Sequence, residues 1–349
     1  MKQLVFINRI TGTHFSVASI IFLIVAVFGI SGCSEDESIS YRLDLPAGFS
    51  QPEIPAENQL TKARIELGRK LFYEPLLSLD STISCSSCHL QEKAFTDGLA
   101  ISIGVNNALG MRNAPTLANI GYSNSFFHDG GVETLELQSQ QPIFSVEEMN
   151  FSIAGFLDRI VDNPDYKTMF REAYNRQPDA YGISRAIASF ERTLISGNSR
   201  FDQYYYQNDL SALSEDEKRG FNIFMSAEND CESCHQLPLF TNFEFENIGL
   251  YETYSDSGRA RITHLTEDRG KFKVPTLRNI EKTGPYMHDG SLQSLEGVVN
   301  HFDAGGTGHP NQSSKVKPLG LTSQEKSDLV AFLLSLTDQS FLNNPELSE

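Results

Sequence analysis

The chain has 349 residues, enough for two domains of ordinary size and for more than one apolar core. Its 28 basic against 45 acidic side chains give a formal net charge of −17, which argues against a nucleic-acid partner and for neutral or basic ones. The first segment does not read as part of a fold: Lys2 and Arg9 precede an apolar run from Val17 to Ile30, too short to cross a bilayer comfortably, and Ile30-Ser31-Gly32-Cys33 follows. Small residues ahead of a cysteine form the pattern of a bacterial lipoprotein signal. Residues 1–32 are therefore expected to be removed, leaving Cys33 as a lipidated N-terminus anchored on the periplasmic side of the cell envelope. Ser34, not aspartate, comes next and Glu35-Asp36-Glu37 follows, which favours the outer membrane and a surface-exposed chain.

Residues 33–58 are polar and carry Pro46, Pro52 and Pro55, the composition of a tether. Leu60, Ile65, Leu67 and Leu71-Phe72 then predict an amphipathic helix ending before Pro75. Apolar spacings of three and four predict helical structure over Ile153–Tyr174 and Ile183–Ile195. Ser214-x-x-Glu217 and Thr322-x-x-Glu325 are capping boxes that open two later helices, the second with Leu329, Phe332, Leu333 and Leu336 on one face. No long alternating pattern appears, so the expected class is all-α.

Removing Cys33 from the five cysteines leaves two pairs, each followed by histidine: Cys85-Ser86-Ser87-Cys88-His89 and Cys231-Glu232-Ser233-Cys234-His235. Two thiols three positions apart can bond the vinyl groups of a haem, and the adjacent imidazole reaches its iron. A single Cys-x-x-Cys also suits zinc or a redox pair. Two copies with histidine, in a chain read as exported, point instead to two covalently bound c-type haems with His89 and His235 as iron ligands. The body repeats as well. Pro115-Thr116-Leu117-Ala118-Asn119-Ile120 recurs as Pro275-Thr276-Leu277-Arg278-Asn279-Ile280, and His128-Asp129-Gly130 recurs as His288-Asp289-Gly290, both at an offset of 160 residues (288 minus 128). The expectation is two cytochrome-c-like domains related by duplication, over 59–205 and 206–340, with a tail at 341–349.

Between Leu60 and Asp338 the chain carries Leu67-Gly68-Arg69-Lys70-Leu71-Phe72, Ala94-Phe95-Thr96-Asp97-Gly98, Arg112-Asn113-Ala114-Pro115-Thr116-Leu117, Ser189-Phe190-Glu191-Arg192-Thr193-Leu194 and Phe272-Lys273-Val274-Pro275-Thr276-Leu277-Arg278-Asn279. With the haem motifs these segments resemble the bacterial di-haem cytochrome c peroxidase family, which also contains the MauG-type enzymes. The resemblance implies a peroxidatic first haem on His89 and an electron-relaying second haem on His235. It implies that Gln138, Pro142 and Glu148 line the first distal pocket, with Gln138 positioning peroxide and Glu148 moving its proton. An ordinary glutamate, with a pKa of about 4.3, is ionised at neutral pH and able to accept that proton. Taken alone, Glu148 in Val146-Glu147-Glu148-Met149 would read as a solvated charge.

Departures from the family pattern carry as much information. Many relatives keep a histidine over the first iron sixteen residues after the proximal ligand, where this chain has Val105, so the first haem is expected to be five-coordinate without prior reduction. Relatives place tryptophan between the haems where His128 stands, and this chain contains no tryptophan. At the second haem, the relatives' methionine or tyrosine ligand is replaced by Phe302; His301 and Met287 are the nearest substitutes, and a five-coordinate iron is the other reading. His288 reads as a propionate-side or loop-bracing residue and His309 as structural. Asn113, Thr283 and Pro285 match an interdomain calcium site. The function expected is reduction of hydrogen peroxide to water with electrons from a small exported cytochrome c or cupredoxin; a MauG-like oxidase acting on a partner protein and a non-enzymatic di-haem electron carrier are the alternatives. Partners are thus peroxide, the donor, the membrane through Cys33 and a second copy in a homodimer, and not nucleic acid.

Overall fold

The computed structural model describes residues 40–349; the expected signal peptide, Cys33 and the start of the tether lie outside them. The first half contains α1 (Lys62–Phe72), α2 (Cys85–Cys88), α3 (Leu135–Gln138), α4 (Gln141–Phe144), α5 (Ile153–Ile160), α6 (Pro164–Tyr174) and α7 (Ala180–Glu191). Then follow α8 (Arg200–Tyr205), α9 (Glu215–Phe224), α10 (Ala260–Thr263), α11 (Leu295–Ala304), α12 (Ser323–Leu334) and α13 (Gln339–Leu342). Strand structure among the described residues is confined to β1 (Phe245–Glu246) and β2 (Phe272–Lys273), an antiparallel pair with Phe245 opposite Lys273. Both capping boxes form, Ser214 with Glu217 and Thr322 with Glu325. The stretch 153–174 is two helices: Asn163 caps α6 and Pro164 begins it, because proline lacks the amide hydrogen that would continue α5 but suits a first helical turn.

Two helix crossings organise the molecule. In the first half α1 lies against α7, and a methyl group built at Gly68 would sit 1.8 Å from the carbonyl oxygen of Ala186. In the second α9 lies against α12, and the same group at Gly220 would sit 1.9 Å from the carbonyl oxygen of Asp328. Four residues on from each glycine, an aromatic ring locks the crossing. Phe72 meets Phe190 with ring centres 5.2 Å apart, and Phe224 meets Phe332 at 5.2 Å. The histidine of each haem motif packs on the same ring, His89 at 6.5 Å from Phe72 and His235 at 6.4 Å from Phe224. The motif sequence alone cannot aim its imidazole; the crossing behind it does.

Each crossing sits in its own apolar core, one built on Leu67, Phe72, Phe95 and Phe190, the other on Phe201, Phe224, Phe240 and Phe332. The chain crosses between them at points the sequence does not announce. Phe201 of α8 is buried in the second core, so residues 200–205 pack with the second half and not at the end of the first. The supposed tail returns to the first core, burying Phe341, Leu342 and Leu347, and Gln91 donates from Nε2 to the carbonyls of Phe341 at 3.1 Å and Asn344 at 2.8 Å. From Ser40 the expected tether is likewise held: the Tyr41 amide donates to Leu60 O at 2.8 Å, Leu43 is buried, and the Phe49 ring lies 4.7 Å below the Arg278 guanidinium. Arg278 is itself fully buried and paired through two 2.9 Å bonds with Asp202 of α8. Gly68→Ala and Gly220→Ala are expected to cost about 1–3 kcal/mol each by overpacking. Thermal unfolding followed in the haem absorption should show the first perturbing one haem and the second the other.

Candidate haem centres

Both motif histidines make the same bond. Nδ1 of His89 donates to the carbonyl of Phe95 at 2.7 Å, and Nδ1 of His235 donates to that of Phe240 at 2.9 Å. Because a carbonyl only accepts, the proton is on Nδ1 and Nε2 keeps the lone pair that a metal needs. The acceptor residues are forced into left-handed backbone, Phe95 at φ 61° and Phe240 at φ 54°, and both rings are fully buried. Burial lowers the pKa of both imidazoles despite these hydrogen bonds, which keeps them neutral. Thr116 donates to Ala94 O at 2.5 Å and Thr276 to Leu239 O at 2.6 Å, tying each Pro-Thr-Leu segment to the loop that carries the accepting carbonyl.

Of the expected distal residues, Pro142 and Glu148 are tied together, the Met149 amide donating to Pro142 O at 3.1 Å. Glu148 and its neighbour Glu147 lie under the Ile103-Gly104-Val105 loop: the Val105 amide donates to Glu148 O at 2.8 Å, and a methyl at Gly104 would sit 2.1 Å from Glu147 O. Val105 is buried there, so the position where many relatives carry histidine is filled by a side chain that cannot bind iron. Glu148 is close enough to both motif thiols for its charge to act on them: burial first, then Asp97 and Glu148, push the Cys88 thiol up to about 11. Burial, reinforced by Glu147, raises the pKa of Glu148 itself. Gln138, at the end of α3, has its side-chain oxygen buried without a hydrogen-bond partner among the described residues. Such an atom needs a partner supplied from outside the protein. α3 is held by a buried pair, Glu136 with Arg192 at 2.6 Å, which Asn58 joins at 2.8 Å.

The second motif opens on a cavity of about 370 Å³, within the range of cofactor sites. Its wall includes Cys231, Cys234 and His235, the α11 residues Leu295, Val298, Val299 and Phe302, and Thr96, Asn113 and His128 from the first half. Met287 belongs to this wall; His301 does not, and its Nε2 donates to Ile248 O at 3.0 Å. His301 is therefore withdrawn as a sixth ligand: one step from Phe302 on a helix is a rotation of about 100°, which carries it off the cavity face. His128 donates from Nε2 to Asn113 O at 2.8 Å, and burial brings its pKa down to about 4, so it is neutral. His288 lines the cavity and stacks on Phe272 with centres 3.8 Å apart, and His309 accepts the Asn311 amide at 3.0 Å. Asn113, Thr283 and Pro285 all line the cavity, with Asn113 Nδ2 donating to Leu99 O at 2.6 Å.

Similarity to known proteins agrees with this geometry. Residues 62–210 match the family model described as di-haem cytochrome c peroxidase. The methylamine utilization protein MauG of Methylorubrum extorquens is 35% identical over 322 residues, covering 90% of this chain and 90% of the relative. The chain belongs to the di-haem cytochrome c peroxidase/MauG family. The cytochrome-c peroxidase IdrP1 of Denitromonas iodatirespirans is 34% identical, over 84% of this chain and 87% of its own. A solved MauG-like protein associated with microbial copper homeostasis superposes with a TM-score of 0.82 at 35% identity, over 88% of this chain and 99% of that one. Membership carries with it two c-type haems and a peroxidase-family oxidoreductase activity.

The residues suit two haems. Each motif supplies two thiols and a neutral imidazole, and in the second cavity one ammonium has no carboxylate partner among the described residues: Lys273 Nζ donates to Ser125 O and, at 3.1 Å, to Ser123 Oγ. Burial, then the Arg259 charge, brings its pKa down to about 8. A buried ammonium with neutral partners fits a haem propionate. Neither Lys273 nor Glu191 received a role from sequence, although each is a charge directly following a phenylalanine in a segment that carries the family resemblance, which was the available signal. Glu191 is 4% exposed, with Oε2 unpartnered among the described residues. Burial lifts its pKa from 4.5 to about 8, with Arg192 opposing and Glu136 adding to the shift. Between those values the folded chain holds a proton that the unfolded chain has released, so its contribution to stability falls as pH rises. Glu191→Gln is expected to flatten the loss of thermal stability between about pH 5 and about pH 8. An unchanged pH slope in that variant would mean that Glu191 is ionised throughout.

Proposed function

We propose that the protein reduces hydrogen peroxide to water at the first haem, with electrons entering through the second from a small exported cytochrome c or cupredoxin. What supports this reading is Glu148, whose charge is felt at both thiols of the first motif and whose carbonyl holds the Val105 amide, with Val105 itself in the position many relatives give to histidine and the Gln138 oxygen buried without a partner among the described residues. Bound haems supply the two electrons that, with two protons, turn peroxide into two waters. Glu148 accepts the proton of the incoming peroxide and returns it to the departing oxygen, so that the leaving group is water rather than hydroxide. Its raised pKa brings it nearer the pH at which it works, which favours a group that must both take and give a proton. Gln138 orients the peroxide, and Val105 contributes no ligand that must first be displaced.

His128 is buried and neutral, and an imidazole is harder to oxidise than the relatives' indole; electrons then pass beside it by tunnelling and not through a radical on it. A calcium ion held by Asn113 Oδ1 and the carbonyls of Thr283 and Pro285 belongs to the same reading, since Asn113 uses its amide nitrogen on Leu99. The repeated crossings, histidine bonds and Pro-Thr-Leu ties support descent of the two halves from one duplicated cytochrome-like unit. Anchoring through Cys33 at the outer membrane completes it. The second reading, oxidation of residues on a partner protein, is favoured by the MauG relative at 35% identity and by Val105.

The oxidised protein should show a high-spin ferric signal as isolated and turn over peroxide without prior reduction; purely low-spin haems indifferent to peroxide would leave an electron carrier. Glu148→Gln should lower kcat about 10²–10⁴-fold with both haems still attached. Glu147→Gln removes a negative charge that raises the Glu148 pKa, so the acid limb of the kcat/KM profile should move to lower pH. Turnover with reduced small donor proteins separates the peroxidase from the protein oxidase, which would instead leave a covalently altered partner.

A further inference from the structure

The 160-residue offset found in sequence is also a structural register across the distal helices. The isolated bridge Phe126–Val132 recurs as Tyr286–Leu292. The cap Thr134 accepts from Leu137 N at the start of α3, and Ser294 accepts from Gly297 N at the start of α11. On this register Leu135 corresponds to Leu295, Gln138 to Val298, Ser139 to Val299 and Pro142 to Phe302. Leu295, Val298, Val299 and Phe302 all face the second cavity. Gln138 and Ser139 of α3 are thus matched by apolar residues of α11 that line the second cavity.

Carboxylates differ in the same way. The acidic residues in the second wall are Asp230, beside Cys231, and Glu246, paired with Lys315 at 2.8 Å; both belong to the surroundings of the haem-attachment motif. The loop after α11, Gly305-Gly306-Thr307-Gly308, has no carboxylate to match Glu148. Met287 corresponds to Phe127, and both have left-handed backbone, φ 76° and φ 65°. Its repeat partner is therefore a residue that cannot ligate, in the loop preceding the distal helix. His301 is turned to Ile248.

We propose that the second haem, held by His235, also presents an open coordination position, walled by Val298, Val299 and Phe302, which binds small neutral diatomic molecules and does not process peroxide. An apolar wall accommodates an uncharged diatomic, which needs no hydrogen bond. It gives peroxide neither an orienting acceptor nor a base for its proton. The two halves would then share one frame and divide two ligand chemistries between them. This rests on the reading of His235 as a haem ligand and is independent of whether the first haem reduces peroxide.

The test is titration of the dithionite-reduced holoprotein with carbon monoxide, read from the Soret band, in the natural chain and in Phe302→Met and Met287→Leu. The expectation is two carbon monoxide molecules per chain, falling to one in Phe302→Met as a thioether closes the second site, with Met287→Leu spectrally unchanged. A single site that Phe302→Met leaves intact would overturn the inference and spare the first-haem reading. A single site that Phe302→Met abolishes would uphold it and sink an open first haem. Conversion of a low-spin to a high-spin haem by Met287→Leu, or no binding at all, would also overturn it.

Discussion

Everything at both centres depends on one hydrogen bond, from Nδ1 of a motif histidine to a main-chain carbonyl a few residues on. It fixes the tautomer, so the nitrogen facing the cavity is the one with a lone pair. It also fixes the plane of the ring, because the accepting phenylalanine is buried and its backbone is held in a conformation that ordinarily costs about 1–2 kcal/mol for a residue with a side chain. That strain is sustained by packing: Phe95 and Phe240 sit 6.1 Å and 5.9 Å from the crossing rings Phe72 and Phe224. The helix crossing, the strained carbonyl and the imidazole form one mechanical unit, present twice.

Given that shared unit, chemical difference between the halves has to come from what is hung on the far wall. α3 ends in a glutamine whose oxygen lacks a partner, and the chain then doubles back so that Glu148 meets the Val105 loop. α11 continues for two more turns with a valine and a phenylalanine toward its cavity. A buried polar atom left unsatisfied costs about 1–3 kcal/mol, so the two walls differ in energy as well as in composition.

The halves are also locked together. Asn119 and Asn279, the left-handed residues of the two Pro-Thr-Leu segments, meet at Ser196: Asn119 Nδ2 donates to Ser196 O at 2.9 Å from within the first half, and Asn279 Nδ2 donates to Ser196 Oγ at 2.9 Å across the junction. Arg112 spans a second junction, bridging Asp129 and Asp256 at 2.6 Å each. A bridge of this kind adds little net stability but penalises any other arrangement, since breaking it strands the charge of the fully buried Asp129. These contacts fix the separation of the two centres.

By itself the sequence determined the covalent chemistry and the local structure: the thiol pairs and their histidines, the capping boxes, the repeat offset and the substitutions Val105, His128 and Phe302. These are short-range properties, carried by neighbours in the chain. Tertiary structure alone decided that His301 faces a carbonyl, that Glu191 and Lys273 are buried with unmet electrostatic needs, and that Phe201 and Phe341 cross over to the opposite cores. Those outcomes depend on which distant surfaces exclude water together, and no local pattern encodes a partner that lies far along the chain.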